Sequence, residues 1–271
     1  MAHYDLGNDF YRLWLDSTLS YSSALYSGDA KRSMEFAQLA KYRRILSRLK
    51  AKPGQRILEI GCGWGGFAET AAREAGVEVV GVTLSPAQFE YACQRISGAG
   101  LEGQVRLELC DYRDLASEQF DHIVSIEMVE AVGERWWPNY FKTLQRMLAP
   151  EGRAVVQSIT IQDALFPRYR KGTDFIQQHV FPGGMLPSPS AFRRQAAKAG
   201  LVVRDEFAFG EDYSRTLAAW SANFEQQYPA IVALGFDERF RRLWRFYFAY
   251  CQAGFNSGCT DVMQFELAHR P

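Results

Sequence analysis

The spacing of apolar and polar positions changes along the chain, and each change marks an element. RILEI (56–60), VEVVGVT (77–83), QVRLEL (104–109), FDHIVSI (120–126) and RAVVQSI (153–159) are short apolar runs bounded by turn residues, the pattern of buried strands. Helical spacing fills the gaps at about 66–75, 85–96 and 136–148, with Ser85 as a cap and Pro86 in the first turn of the second. AKPGQ (51–55) and APEG (149–152) read as turns. Strands alternating with helices predict a parallel, doubly wound α/β sheet.

The pattern differs at both ends. Residues 1–50 are polar and aromatic and predict a helical cap, with Met34 to Leu49 as one amphipathic helix. After Ile159 a Pro- and Gly-rich stretch (180–190) predicts a loop, 188–200 a helix ended by glycine, and 201–209 and 262–270 the last two strands. Residues 210–260 read as helical and are dense in aromatics, which suits a lid or substrate pocket. The expected organisation is one domain, 1–271, with a sheet core at 51–209 and 261–271, a helical cap at 1–50 and a helical insertion at 210–260.

Composition narrows the classes. The chain has 271 residues, 47% of them hydrophobic, so it can bury a full core and is not a disordered tail. Its formal net charge is zero, so no global field draws it to nucleic acid, and no nucleic-acid partner is expected. Five cysteines without a C-x-x-C pair suggest neither a disulfide framework nor a zinc site, and no metal is expected; reduced thiols in a cytoplasm fit them. The N-terminus lacks the basic start and apolar run of a secretory signal. No run approaches the about 18 apolar residues of a spanning helix, so work on a membrane would be done from its surface.

ILEIGCGWGG (57–66) carries the most chemistry. A strand ends, glycines fall at Gly61, Gly63 and Gly65, and a helix begins, so the backbone can turn sharply against a ligand. A lone G-x-G-x-G also occurs in nicotinamide-binding folds. Here Glu59 precedes it and Trp64 lies inside it, a form that resembles the first motif of S-adenosylmethionine methyltransferases. The second strand ends in Thr83 and Leu84 rather than the Asp or Glu that ordinarily binds ribose. Gln88 could reach the ribose from the next helix, Asp111 could accept from the adenine amino group, and Tyr112 could cover the ring.

HYDLGNDFYRLWLD (3–16), YSSALY (21–26), ILEIGCGWGG, GVTLSPAQ (81–88), MVEAVG (128–133), FPGGMLPSP (181–189) and FGEDYSRTLAAW (209–220) together resemble cyclopropane-fatty-acyl-phospholipid synthases and mycolic acid cyclopropane synthases over essentially the whole chain. The segment that precedes HYDLGND in longer members is not in this sequence. The resemblance implies a Rossmann-like, seven-stranded class I S-adenosylmethionine-dependent methyltransferase fold. It assigns Tyr21 and Ser22 to the methionine part of the cofactor and Thr83, Leu84 and Gln88 to the ribose. It also implies a bicarbonate ion beside the reactive methyl, held at positions that are here Ser23, Glu130, Gln157 with Ile159, and Tyr213. Ser23 stands where the family has Cys and Gln157 where it has His, so two of the anion's ligands cannot be charged. Cys251 matches a recurring cysteine and is a nucleophile candidate, although its aromatic surroundings suit packing.

The implied chemistry is methylene transfer to a cis double bond of a phospholipid acyl chain. An alkene is a weak nucleophile that must be held in line with the sulfonium methyl. The resulting carbocation requires exclusion of water, aromatic faces, for which Tyr213, Trp220, Phe240, Trp244 and Tyr247 are candidates, and a base, either the bicarbonate or Glu130 itself. Glu127 is left as the carboxylate serving a helix N-terminus. Six basic residues from Lys41 to Lys52, and the arginines 241, 242 and 245 beside an apolar helical stripe, suggest peripheral contact with anionic headgroups. Methylation without ring closure, giving a methyl-branched lipid or an N-methylated small molecule, and a non-catalytic cofactor- or lipid-binding protein are the competing readings.

Overall fold

In the computed structural model, which describes residues 6–29, 31–115 and 118–270, the apolar runs assemble into one seven-stranded sheet. Its strands are β1 (Arg56–Ile60), β2 (Glu78–Thr83), β3 (Val105–Leu109), β4 (Phe120–Ile126), β5 (Leu148–Ile161), β6 (Leu201–Ala208) and β7 (Thr260–His269). Their order is β3-β2-β1-β4-β5-β7-β6. β1 to β5 pair in parallel, whereas β7 lies antiparallel to both β5 and β6. The wholly parallel sheet expected from the alternation is thus corrected in one strand. Direction is set by the connection: the long helical excursion before β7 stays at the end where β6 finishes, so β7 enters there and runs back. APEG is likewise not a turn before β5 but part of it, absorbed where the pairing with β4 shifts between Phe120 and His122.

Helices cover both faces. On one, α2 (Met34–Leu49) and α3 (Gly66–Ala75) seal a core with Ile57, Val79, Val124 and Val155. On the other, α5 (Trp137–Met147) and α8 (Pro189–Lys198) bury Phe141 and Phe192 against Phe265. α4 (Pro86–Gly98) starts as its sequence predicts: Ser85 Oγ accepts from the Gln88 amide at 3.3 Å, with Pro86 in the first turn. The loop expected after β5 carries two short helices, α6 (Phe166–Tyr169) and α7 (Phe175–His179), the latter closed by an Asp174–Gln177 capping box.

A third core explains the aromatic density. α1 (Asn8–Arg12), α9 (Gly210–Gln226) and α11 (Glu238–Asn256), with α10 (Tyr228–Ala233) between the last two, pack Phe10, Trp14, Trp220, Phe224, Trp244 and Phe248 edge to face or stacked. This aromatic unit stands over the ends of the strands where the parallel order splits between β1 and β4, the place where open α/β sheets bind ligands. Among the described residues no helix is long and apolar enough to cross a membrane.

Candidate active site

A cavity of about 1110 Å³ opens at that split, slightly larger than the roughly 300–1,000 Å³ usual for ligand sites. One wall is the glycine turn. Gly61, Gly63 and Gly65 have φ of 84°, 52° and 80°, a left-handed run that only glycine adopts without strain. A Cβ on Gly61 would stand 3.1 Å from Met128 Cγ. Gly61 and Gly63 line the cavity, whereas Gly65 is set back: its missing Cβ, which would lie 3.2 Å from Ala92 Cβ, lets α3 and α4 approach. Gly65 therefore serves helix packing rather than ligand contact. Glu59 lies beneath the turn, buried; burial pushes its carboxyl well above the usual range, and Oε2 has no hydrogen-bond partner among the described residues.

The remaining sequence-predicted cofactor residues gather around this turn. Thr83, at the end of β2, donates to Gln88 Oε1 at 3.1 Å and accepts from the Ser85 amide at 3.2 Å, which holds Gln88 at the cavity. Leu84 lines the cavity beside them and is 68% exposed. Asp111, after β3, is clamped by Arg113, whose Nε and Nη2 lie 2.9 and 2.5 Å from its oxygens and hold the carboxyl below its usual range. Tyr112 is buried next to it, edge-on to Tyr140. Tyr21 hydrogen-bonds Tyr247 through their hydroxyls at 2.9 Å. Ser22 Oγ accepts from Lys41 Nζ at 2.6 Å. Of the HYDLGND motif, residues 3–5 lie outside the described residues; Asn8 accepts from Trp64 Nε1 at 2.8 Å and so ties the motif to the glycine turn.

The site's second half is built around a residue that the sequence reading set aside. Glu127 follows β4 directly, with φ of 50°, unusual for a residue other than glycine. Its amide donates to the Gln157 carbonyl at 2.8 Å, and its Oε1 accepts from Gln157 Nε2 at 2.7 Å and from the Ser23 amide at 2.9 Å. Its Oε2 accepts from the Tyr213 hydroxyl at 2.7 Å. Glu127 is no helix-terminal carboxylate: the chain stays in turns until Glu134, where a short 3₁₀ segment precedes α5.

Glu130 is buried close by. Its Oε1 accepts from the Ile159 amide, and its Oε2 is buried without a partner among the described residues. Burial, reinforced by the Glu127 charge, pushes its pKa up to about 8. Burial lifts Glu127 as well, and it stays above the usual range although Tyr213, Lys41, Ser23 and Gln157 each pull it down. The fully buried Lys41 is the balancing cation; its pKa is lowered by burial to about 8, against the pull of Glu127, Asp16 and Glu59. The pair thus divides its roles by environment: Glu130 holds a proton at neutral pH and Glu127 gathers donors.

Gln157 is itself held by a relay. Gln264 Nε2, opposite on β7, donates to Gln157 Oε1 at 2.9 Å, and Arg44 Nη1 donates to Gln264 Oε1 at 2.5 Å. Arg44 fixes one amide, that amide fixes the next, and the second points its NH₂ at Glu127. A buried Gln in the middle of an apolar strand was the signal for this relay.

Several expectations are corrected. The Ser23 hydroxyl donates to the Ala24 carbonyl at 3.1 Å, so its amide rather than its side chain serves the site. Cys251 lines the cavity as a thiol pushed up to about 12 by burial, which suits a wall and not a nucleophile. Trp220, Phe240 and Trp244 belong to the aromatic core, while Tyr213 and Tyr247 line the cavity. Of the basic run 41–52, Lys41 is buried, Arg43 pairs with Glu74, Arg44 with Asp205, and Arg48 with Asp205 and Glu266, while Lys50 and Lys52 are exposed. Arg241 and Arg245 are likewise paired, with Glu225.

These features coincide with a known family. A profile of the mycolic acid cyclopropane synthetase family matches residues 1–265. The chain belongs to this family. It is 39% identical over 273 residues to the tuberculostearic acid methyltransferase UfaA1 of Mycobacterium tuberculosis, covering 98% of this chain and 64% of that protein. It is 40% identical over 267 residues to the cyclopropane-fatty-acyl-phospholipid synthase of Escherichia coli strain K12, covering 97% of this chain and 65% of that protein. The chain thus spans a little under two thirds of the length of these two relatives. The structure of the mycolic acid cyclopropane synthase CmaA1 with SAH and CTAB superposes with a TM-score of 0.90 at 31% identity, covering 98% of this chain and 95% of that one. The fold is that of the class I S-adenosylmethionine-dependent methyltransferases, as the glycine turn implied.

The two small molecules that the resemblance brings fare differently against the residues present. A sulfonium cofactor fits: the glycine turn leaves room for close approach, and the wall holds the Asp111 carboxylate, whose pKa lies below its usual range. Bicarbonate does not fit. Ser23, Gln157 and Tyr213 donate to Glu127, and Ile159 donates to Glu130, so all the assigned donors serve the two carboxylates. With those positions occupied, a further anion would meet the Glu127 charge and no free donor of the assigned set.

Proposed function

We propose that this chain alkylates a cis double bond of a phospholipid acyl chain with the methyl group of S-adenosylmethionine and releases a cyclopropane ring by loss of a proton. The observation that carries this reading is that a single cavity joins the glycine turn to an apolar chamber and has paired carboxylates in its wall. Gly61 and Gly63 admit the cofactor; Tyr21 and Ser22 take its methionine part, Thr83, Leu84 and Gln88 the ribose, and Asp111 and Tyr112 the adenine, with Glu59 beneath the turn. S-adenosylmethionine, when bound, supplies an electrophilic methyl on a cationic sulfur.

The residues of the chain do the rest. The apolar wall, with Ile159, Met185, Leu217 and Phe255, seats an acyl segment and keeps water from a carbocation. The rings of Tyr213 and Tyr247 offer it π faces. The Glu127 carboxylate opposes its charge.

A second reading, methylation that ends in a branched chain, is favoured by the relative named as a tuberculostearic acid methyltransferase, which matches as well as the named cyclopropane synthase. Incubation with methyl-labelled S-adenosylmethionine and vesicles of unsaturated phospholipid, followed by mass spectrometry of the fatty esters, separates the readings. A labelled ring supports the first and a labelled branch the second. Label confined to a soluble amine refutes both.

A further inference from the structure

We propose that the Glu127 carboxylate is the proton acceptor of this reaction, a side chain standing where the resemblance places a bound bicarbonate. The inference rests on the acyl-alkylation reading above and adds to it the identity of the base.

Three observations carry it. The first is the convergence of the Ser23 amide, the Gln157 carboxamide and the Tyr213 hydroxyl on one carboxylate at 2.7–2.9 Å. A carboxylate with three fixed donors is preorganised and needs no helper ion to complete it. The second is backbone strain. Glu127 has φ of 50°, a conformation glycine adopts freely and a glutamate does not, and its amide is pinned to the Gln157 carbonyl. A residue held this way by its surroundings points to function, since a solvent-facing glutamate would have no reason to be fixed there. The third is position. Glu127 lines the cavity, and an ionised carboxylate has about four acceptor sites, of which three are filled. Oε2, with Tyr213 alone, keeps one for an incoming proton. Glu130 is excluded as the base at neutral pH because it already carries a proton.

The steps balance. The π electrons of the alkene form the new carbon–carbon bond while the sulfur–carbon bond breaks and its pair stays on sulfur. A C–H bond of the transferred methyl then breaks, its pair closes the ring, and the proton passes to Glu127 Oε2. If the C–H bond is instead that of a neighbouring chain carbon, its pair forms a double bond within the chain, and the same acceptor yields a methyl-branched alkene.

The test uses the full chain with unsaturated phospholipid vesicles and labelled S-adenosylmethionine. Wild-type turnover should be unchanged when carbon dioxide and bicarbonate are stripped from the buffer. Glu127→Gln should lower turnover by about 100-fold or more, with cofactor affinity by calorimetry within about threefold of wild type. Glu127→Gly suits the backbone and leaves the three donors around a vacated space, so its turnover should be low and should rise at least about tenfold with added bicarbonate or formate. Loss of wild-type turnover on bicarbonate removal overturns the proposal, as does near-wild-type turnover in either variant. Failure of added anion to restore a Glu127→Gly protein that still binds cofactor also overturns it. If Glu127→Gly does not fold, the wild-type and Glu127→Gln results decide. Absence of lipid labelling by the wild type refutes the alkylation reading instead.

Discussion

Replacing Glu130 by Gln should stabilise the protein, and the gain should grow with pH. Burial first, and the Glu127 charge second, raise the Glu130 pKa from 4.5 to about 8. Below pH 4.5 the carboxyl is protonated in folded and unfolded chains alike, and the raised pKa costs nothing. Between 4.5 and 8 the unfolded chain ionises while the folded chain must hold its proton, at about 1.4 kcal/mol per pH unit. Stability is therefore lost as pH rises through this window, reaching about 3 kcal/mol at pH 7 and levelling off above pH 8. Gln keeps an oxygen for the Ile159 amide and has no proton to hold. Lys41, which also titrates near pH 8, is common to both proteins and largely cancels in the difference. For a chain of this size about 3 kcal/mol is roughly 6–12 °C in melting temperature. Melting curves of both proteins at half-unit steps from pH 5 to 9 supply the assay. The Gln protein should gain little at pH 5, several degrees at pH 7 and no further beyond about 8.5. A difference flat across the series, or one shrinking as pH rises, would show that Glu130 is not a buried, protonated acid.

Two further outcomes test the supports of the site. Arg44→Met removes the donor at the head of the relay, leaving Gln264 free to flip its amide; we expect a loss of about 1–3 kcal/mol in urea unfolding and a fall in turnover, while calorimetric cofactor affinity stays within about threefold of wild type. Gly61→Ala places a Cβ 3.1 Å from Met128 Cγ at φ of 84°; with about 1–2 kcal/mol of backbone strain, cofactor affinity by calorimetry should drop at least about fivefold, and unchanged affinity would remove the turn from the binding site.

The sheet was legible because its signals are local. RILEI and VEVVGVT announce strands by composition, and ILEIGCGWGG shows its turn in the order of residues alone. Ser85 and Pro86 likewise fix the start of α4 within three residues. What the sequence hid was pairing at long range. The basic run from Lys41 to Lys52 reads as a surface stripe because its partners Asp205 and Glu266 lie more than 150 residues away, on strands that meet α2 only in the folded chain. Glu127 and Glu130 look equivalent in EMVE. Only the turn after β4 gives one of them three donors and leaves the other with a single amide.

Gln157 shows how such a site could be found from sequence. A carboxamide on a strand buried on both faces must place a donor and an acceptor, each worth roughly 1–3 kcal/mol if left unmet. On β5 its neighbours are β4 and β7, so same-face partners can come from those two strands and their ends as well as from the elements that cover the sheet. β7 offers Gln264 directly opposite, and the end of β4 offers Glu127. Gln264 then needs an acceptor-side partner of its own, which Arg44 supplies. The polarity of the relay runs one way: a guanidinium can only donate, so each amide in turn is oriented to donate toward the cavity, and the relay can end only on an acceptor. A neutral amide at 157 and a carboxylate at 127 are in this sense one choice rather than two. A substitution at either position leaves the other's hydrogen bonds unmatched.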